Sequence, residues 1–244
     1  MLADTLLALT QSRLSNHSVT DLRVGLSYTA VLLDNGHLGV AATLNDWPSQ
    51  HCTVSTRAGR MKIGAWQSAQ MLAATNPVDA AVGLATVNAV LNQDVEGDNC
   101  DLLERLDIKE DDTVAMVGYF HPFVANLKDR CNLMIFERKP VAPGVLPDWS
   151  AERLMPDATV VILSATTFVN KTIDRLLQLA RPARSVAIAG PSTPLIPELF
   201  EGTNVKLLAG MEFTDPSGAL DVISQAGGTR RFSPYARKVT LELK

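Results

Sequence analysis

Short apolar segments in the second half of the chain are followed by residues whose side chains suit ligand binding. The end of segment 113–119 and the loop that follows it carry ring and backbone groups that could contact a ligand: Gly118, Tyr119, Phe120 and His121. Segment 132–137 ends in Glu137, about 19 residues after Gly118, where dinucleotide-binding domains often hold a ribose. The loop lacks the G-x-G-x-x-G pattern that brings backbone close to a pyrophosphate, so ordinary NAD binding is disfavoured. Pairing of Glu137 with Arg138 or Lys139 remains an alternative.

Two more apolar segments are followed by hydroxyl groups at the start of a predicted helix. Segment 159–164 precedes three such polar residues: Thr166, Thr167 and Asn170. Segment 185–189 precedes a second loop: Gly190, Pro191, Ser192 and Thr193. Free N–H groups at a helix start suit an anion, although helix capping explains either loop alone. Together, and beside Glu137 and His121, the two loops favour a ligand-binding site.

The elements that must position these residues alternate between strands and helices. The predicted strands are 113–119, 132–137, 159–164, 185–189 and 205–208. After a short helix at 101–106, the predicted helices are 122–129, 170–180, 194–200 and 216–226. Continuous apolar strands separated by helices predict an α/β, Rossmann-like, doubly wound parallel sheet. Ligands bind such sheets outside the carboxyl ends of the strands, where the polar loops begin.

The first half of the chain predicts a smaller α+β unit. An amphipathic helix is expected at the start of the chain, a strand at 22–27, and a hairpin whose Asn35-Gly36 pair suits a type I′ turn. Helices follow at 63–74 and 77–91, the second capped by Asn76 with Pro77 in its first turn. Turn formers and acids at 92–99 mark the boundary, which gives domains 1–96 and 97–244.

Composition excludes several classes of partner. The 244 residues carry 22 Lys and Arg against 26 Asp and Glu, a net charge of −4 without a basic block, so nucleic acid is not expected. No apolar run has the length of a membrane span, and no positive charge precedes the apolar N-terminal segment as in a signal peptide. Cys52, Cys100 and Cys131 are odd in number and widely spaced, which favours reduced thiols and a cytoplasmic location.

Several segments together resemble a known family. They are VGYFHPF, FER before Pro140, SATTFVNKT, GPSTPLIPELF, YTAVLLDNGHLGVA and STRAGR with NPVDAAVGLATVNA, over about 22–228. In this combination they are similar to the DUF364 family with DUF4213, described as heavy-metal chelatases. The resemblance implies a first domain like the enolase N-terminal domain, a Rossmann-like second domain and an active site between them.

Metal chemistry in this sequence would need an open or transient site. The chain has four histidines and no C-x-x-C, H-x-x-x-H or H-E-x-x-H motif, so its spacing predicts no closed zinc site. His121 and Glu137 form the best ligand set for a divalent transition metal, and His51-Cys52 could contribute from the first half. A backbone-bonded loop histidine and an exposed His51-Cys52 pair are the simpler alternatives.

Three functions remain open at this stage. The preferred one is a metal- or metal-ligand-handling protein whose cleft also presents Arg57 and Arg60 to an anionic ligand, unless these arginines lie on a solvated loop. The alternatives are an enzyme that binds a nucleotide or S-adenosyl compound, and a non-catalytic sensor of a small ligand. No G-x-S-x-G elbow is present, and no catalytic residue is assigned. A homodimer is the assembly considered.

Overall fold

A three-stranded antiparallel sheet with helices on one face forms the first half of the protein. The computed structural model describes residues 1–44, 55–139 and 141–243. The strands lie in the order β1-β2-β3, as two consecutive antiparallel pairs. The elements are α1 (Leu2–Leu14), β1 (Val19–Val24), β2 (Tyr28–Leu33), β3 (Leu38–Ala42), α2 (Ala65–Ala69), a 3₁₀ turn at Gln70–Ala73, and α3 (Pro77–Leu91).

The predicted hairpin is confirmed as β2 and β3, but its turn is not of type I′. Among the turn residues, all of which the structure describes, Gly36 alone has a positive φ, of +84°. The N–H of Leu33 donates to the carbonyl of His37 at 3.0 Å, and the Asn35 side chain accepts from the N–H of His37 at 3.1 Å. One left-handed glycine fits a three-residue loop better than the two-residue type I′ turn.

The first strand lies earlier than the predicted range 22–27. It spans Val19–Val24 because the chain turns directly afterwards, where the N–H of Gly25 donates to the carbonyl of Tyr28 at 2.9 Å. The predicted helix over 63–74 is split into α2 and the 3₁₀ turn that follows it. The sequence pattern therefore located these two elements but misplaced their ends.

Helix α3 matches its prediction in extent and in capping. The side chain of Asn76 accepts from the N–H groups of Val78 at 2.9 Å and Asp79 at 3.3 Å, and Pro77 occupies the first turn. Nearly every residue of the helix is buried. Gly39 of β3 makes this packing close, because a Cβ there would lie 2.1 Å from the Ala85 carbonyl oxygen. The helix therefore packs directly on the first sheet.

A seven-stranded sheet forms the second half, in the order β10-β9-β8-β7-β4-β5-β6. All its pairs are parallel except β9 with β10. The strands are β4 (Thr113–Val117), β5 (Asn132–Glu137), β6 (Leu146–Pro147), β7 (Val160–Ser164), β8 (Ser185–Ala189), β9 (Val205–Phe213) and β10 (Ala236–Glu242). The chain winds outward from β4 to β6 and returns to β7, so the winding reverses between β4 and β7. Such a reversal is the switch point at which doubly wound sheets bind ligands.

The helices of the second half are short. They are α4 (Leu102–Leu106), α5 (His121–Leu127), α6 (Ala151–Leu154), α7 (Thr166–Val169), α8 (Ile173–Leu179), α9 (Pro216–Ser224) and α10 (Thr229–Phe232). The predicted helix over 170–180 begins only at Ile173, because Lys171 has a left-handed backbone. The predicted helix over 194–200 is a single 3₁₀ turn, Pro197–Phe200. The longest helix in the described part of the chain, α3, has 15 residues, and no described helix qualifies as a membrane span.

Two strands of this sheet were not predicted from the sequence. Strand β6 has only two residues, and β10 pairs antiparallel along most of β9, from Ala236 opposite Phe213 to Glu242 opposite Leu207. This pairing also extends β9 to Phe213, well beyond the predicted end at 208. The α/β class with a mostly parallel sheet is confirmed, and its antiparallel edge was not foreseen.

One hydrophobic core runs through both halves. It joins Leu84 of α3 to Phe136, Leu163 and Ile188 on one face of the large sheet. The opposite face packs on α4 and α5 through a second group of buried residues, which includes Leu106, Met116 and Leu127. A third cluster joins the outer face of β2 and β3 to the extended end of β9, α9 and α10. The two halves therefore pack on each other over a wide apolar area.

Candidate functional site

A pocket of about 580 Å³ lies at the carboxyl ends of β4, β5 and β7, beside the switch point. Thr43 and Leu44, which follow β3, contribute to its wall from the first half of the chain. The predicted site residues that line it are Gly118, Tyr119, Phe120, Glu137, Thr166, Thr167 and Asn170. The topology therefore brings three of the predicted strand ends together in one cavity, as expected for this kind of sheet.

Glu137 holds the loop that follows β4. Its Oε1 accepts a hydrogen bond from the backbone N–H of Tyr119 at 2.7 Å. The carboxylate therefore fixes the backbone of the neighbouring loop while its own residue lines the pocket. Sequence reasoning placed Glu137 at this edge but did not foresee the contact, because it joins two strand ends 18 residues apart in the chain.

Gly118 allows the ends of β4 and β7 to approach each other closely. Its φ is +99°, and a Cβ at this position would lie 2.8 Å from the Cβ of Ser164. Ser164 also lines the pocket, and its hydroxyl accepts a hydrogen bond from that of Thr166 at 3.0 Å. Both the backbone angle and the lack of space require glycine here.

His121 lies beside the pocket and is not among the described residues that line it. It is the exposed first residue of α5, and its ring meets the ring of Tyr119 edge-on, with centroids 5.3 Å apart. Tyr119 does line the pocket, so His121 contacts the pocket wall through this ring without belonging to it. The ligand set of His121 and Glu137 stays a prediction.

The second predicted loop serves the packing of the two halves. Ser192 and Thr193 are buried. The Ser192 hydroxyl accepts from the N–H of Ala42 at 2.8 Å, and the Thr193 hydroxyl donates to the carbonyls of Gly190 at 2.7 Å and Ala209 at 2.9 Å. None of the four residues 190–193 is among the described residues of the pocket lining. Their polar groups are used inside the protein.

Arg57 and Arg60 also have local partners. Arg57 lies 3.8 Å from the carboxylate of Asp79, which accepts a hydrogen bond from Ser55 at 2.6 Å as well. Arg60 donates to the carbonyl of Thr56 at 3.2 Å. Neither arginine is among the described residues that line the pocket. His51 and Cys52 lie outside the residues that the structure describes.

Charged and aromatic residues missed by the sequence analysis complete the pocket. Its wall includes Arg138, Lys139, Asp148, Trp149, Glu152 and Arg175. Arg175 forms an ion pair with Glu152 at 2.6 Å, and this hydrogen-bonded pairing lowers the pKa of Glu152. Trp149 is 74% exposed, which is unusual for so large an apolar side chain. Arg138 and Lys139 follow β5, and Asp148 and Trp149 follow β6 in a 3₁₀ turn. The short helices α6 and α8 carry Glu152 and Arg175. The sequence pattern gave no signal for a site at these positions.

The described side chains do not form a closed metal site. Among residues 1–44, 55–139 and 141–243, no group of three or more His, Cys, Asp and Glu side chains could hold a metal ion. Structural metal sites usually take four protein ligands and catalytic sites three. The described residues therefore provide neither ligand set.

These features define the structural class: an α/β protein with a mostly parallel, doubly wound sheet and a pocket at its switch point. The chain belongs to the DUF364 family, whose model matches residues 101–242, and the DUF4213 model matches residues 8–91. Both models carry the description "Putative heavy-metal chelation".

Three similar proteins align with almost the whole chain. An uncharacterized protein of Methanocaldococcus jannaschii is 31% identical over 239 residues, which cover 93% of this chain and 90% of the relative. A crystal structure of a DUF364-family protein of unknown function from Pyrococcus horikoshii matches with a TM-score of 0.89 at 27% identity, covering 100% of both chains. One from Desulfitobacterium hafniense matches at 0.84 and 25% identity, covering 99% of this chain and 98% of that chain.

Proposed function

We propose that this protein handles a heavy-metal ion that is bound as a complex with a small organic ligand in the pocket at the switch point. The metal is cargo and carries its own ligands. The observation that carries the proposal is the combination of a pocket of about 580 Å³, far larger than a bare ion needs, with no three-donor group among the described residues. The description shared by the two family models supports the choice of a metal.

The lining carries three cations and three carboxylates, and an anionic complex would bind beside the two cations that follow β5. Arg138 and Lys139 follow Glu137 directly and belong to the wall, so they place positive charge beside the carboxylate. Thr166 and Thr167 also belong to the wall, but both donate their hydroxyl hydrogens to Ser164. Arg138 and Lys139 are therefore the donors that would bind the carboxylate groups of an organic chelator, while Glu137 could complete the coordination of the metal.

Titration calorimetry tests this proposal with Ni²⁺ added in two forms, as the aquo ion and as the citrate complex. We expect the complex to bind at least about tenfold more tightly than the aquo ion, a difference of about 1.4 kcal/mol. Glu137→Gln should weaken binding of the complex about tenfold or more, because it removes the carboxylate that would complete the coordination of the metal while keeping the shape of the pocket. Glu201→Gln, an exposed position after Pro197–Phe200, is the matched control.

Two results would contradict this proposal. Binding of aquo Ni²⁺ as tight as that of its citrate complex would show that the protein supplies the ligands itself. If wild type and Glu137→Gln bind the citrate complex equally well, the complex does not bind in the pocket beside Glu137. Native mass spectrometry of the protein as purified gives an independent measurement, since a bound complex adds the mass of metal and chelator together.

A nucleotide or S-adenosyl compound is the second candidate, favoured by the place of Glu137. The residue ends β5, the second strand in the winding order, where doubly wound domains often bind a ribose. A ligand at 100 times its dissociation constant should stabilise the fold by about 2.7 kcal/mol. A thermal-shift panel of nucleotides and S-adenosylmethionine at millimolar concentration measures this, and the lack of any shift would eliminate this candidate.

A further inference from the structure

Lys171 occupies a strained turn between α7 and α8. Its φ is +66°, a left-handed conformation that side chains with a Cβ disfavour. Asn170 holds the turn, because its side-chain oxygen accepts from the backbone N–H of Thr172 at 3.2 Å and from its hydroxyl at 2.7 Å. Strain of this kind persists only where the surrounding structure imposes it, and it often accompanies function.

The amino group of Lys171 contacts two backbone carbonyls. Its Nζ donates to the carbonyl of Leu72, in the 3₁₀ turn of the first half, and to that of Phe168 at 3.4 Å. A neutral amine has two hydrogens and one lone pair. Two carbonyl acceptors occupy the hydrogens and leave the lone pair available for attack on an electrophile.

Lys171 also lines a smaller cavity of about 270 Å³. This cavity adjoins the pocket at the switch point, with which it shares Arg138, Asn170 and Thr172 as wall residues. Thr75 adds another hydroxyl. The Arg138 guanidinium and the Thr75 hydroxyl would bind a carboxylate group on this wall, to which the carboxylate of Asp148 also belongs.

The charge state of Lys171 is compatible with nucleophilic chemistry near neutral pH. Burial lowers its pKa to about 8, against the opposing effect of the Asp4 charge on α1. Two further charged groups, Arg138 and Asp148, lie with Lys171 on the cavity wall. Asp174, three residues after Lys171, accepts a hydrogen bond from the N–H of Leu2. At pH 8 about half of this amine is neutral, against well under ~1% of an ordinary lysine.

We propose that Lys171 is a reactive amine that forms an imine with a small α-oxo acid bound in the smaller cavity. The Nζ lone pair attacks the carbonyl carbon, and one proton passes from the nitrogen to the carbonyl oxygen to give a carbinolamine. The hydroxyl group then leaves as water together with the second N–H proton, which forms the C=N bond of the imine. The carboxylate of the α-oxo acid pairs with the polar wall. This site does not depend on the metal complex in the main pocket.

Reductive trapping on the wild-type protein tests the site directly. At pH 8, glyoxylate forms an imine with a lysine, and sodium cyanoborohydride reduces this imine to carboxymethyl-lysine. Peptide mass spectrometry then locates the modified lysine. We expect Lys171 to be modified at least about tenfold faster than Lys139 or Lys109, which are both exposed. Lys171→Arg should abolish this fast modification, and Lys109→Arg, the matched control at an exposed position outside both cavities, should retain it.

Modification in order of exposure, with Lys109 and Lys139 first and Lys171 unmodified, would overturn the proposal. Acetaldehyde, which lacks the carboxylate, provides a second comparison. We expect its preference for Lys171 to be at least about fivefold weaker than that of glyoxylate. An equal preference would overturn the assignment of the cavity to α-oxo acids. Because both measurements use wild-type protein without metal, they are independent of the function proposed above.

Discussion

The carboxylate of Asp112 is held by three donors at the amino ends of the central strands. It accepts hydrogen bonds from Arg184 at 2.6 Å, from the hydroxyl of Thr159 at 2.6 Å and from the N–H of Lys109 at 2.8 Å. Burial by itself raises the pKa of Asp112, but the hydrogen bonds and the Arg184 charge outweigh it and hold the pKa at about 2. This residue connects the segments that precede β4, β7 and β8, at the sheet edge opposite the pocket.

Asp112→Asn tests this connection through the pH dependence of stability. The folded pKa lies below the usual 3.8, so the stabilisation is present above about pH 4 and is lost as pH falls towards 2. The variant should lose up to about 2 kcal/mol of unfolding free energy at pH 7, and the difference should shrink below pH 4. Urea denaturation at pH 7, 4 and 3 measures it, with exposed Asp111→Asn as the control. A difference that is constant with pH would contradict the interpretation.

At the level of elements, the pocket depends on how closely the ends of neighbouring strands approach. Glu137 at the end of β5 ties down the loop after β4 through Tyr119, while Gly118 lets that loop lie against Ser164 at the end of β7. Helices α7 and α8 are separated by the left-handed turn at Lys171, which places its amino group against the first half. Short connections therefore determine the shape of both cavities.

Gly118→Ala should disturb the pocket and the fold together. A Cβ would meet Ser164 at 2.8 Å and would also require a φ of +99°, so we expect a loss of about 2–4 kcal/mol. Gly36→Ala is the matched control, because Gly36 has a φ of +84° but nothing within 4 Å of an added Cβ. It should cost only about 1 kcal/mol. Chemical denaturation measures both, and equal losses would show that the contact with Ser164 is unimportant.

At the level of the whole molecule, the two halves are joined by a shared core and by buried amides. Asn88 of α3 donates to the carbonyls of Val40 at 2.9 Å and Ser192 at 3.0 Å. Asn92 donates to the carbonyls of Thr193 at 2.9 Å and Met211 at 3.3 Å, and accepts from the N–H of Leu195 at 3.0 Å. Asn92 falls inside the segment predicted as the domain boundary, and the division near residue 96 stays a prediction.

Asn92→Ala should destabilise the whole protein. It leaves three buried backbone groups without this partner, so we expect a loss of about 2–4 kcal/mol. Gln93→Ala is the neighbouring control, since Gln93 is only partly buried and makes one hydrogen bond, to Leu38 at 3.3 Å. Tryptophan fluorescence and circular dichroism should report one coincident unfolding transition, because one core spans both halves. Two separate transitions would contradict a shared core.

The sequence by itself determined the features that depend on local patterns. Asn76 and Pro77 specified the start of α3, Asn35-Gly36 specified the hairpin, and the apolar segments specified the parallel strands of the large sheet. Because parallel strands expose their carboxyl ends at one edge, the position of Glu137 and of the loop after Ser164 also followed from the pattern. These predictions succeeded because capping, turns and strand burial act over a few residues.

Only the tertiary structure decided which polar groups face a cavity. Ser192 and Thr193 look like a ligand loop in the sequence, but the first half covers them and uses their hydrogen-bonding groups. Trp149 and Arg175 carried no local signal, yet their elements bring them to the pocket. Strand β10 and the long end of β9 depend on each other across a distance in sequence. Burial and pairing between distant segments are set by packing, so residue spacing alone does not determine them.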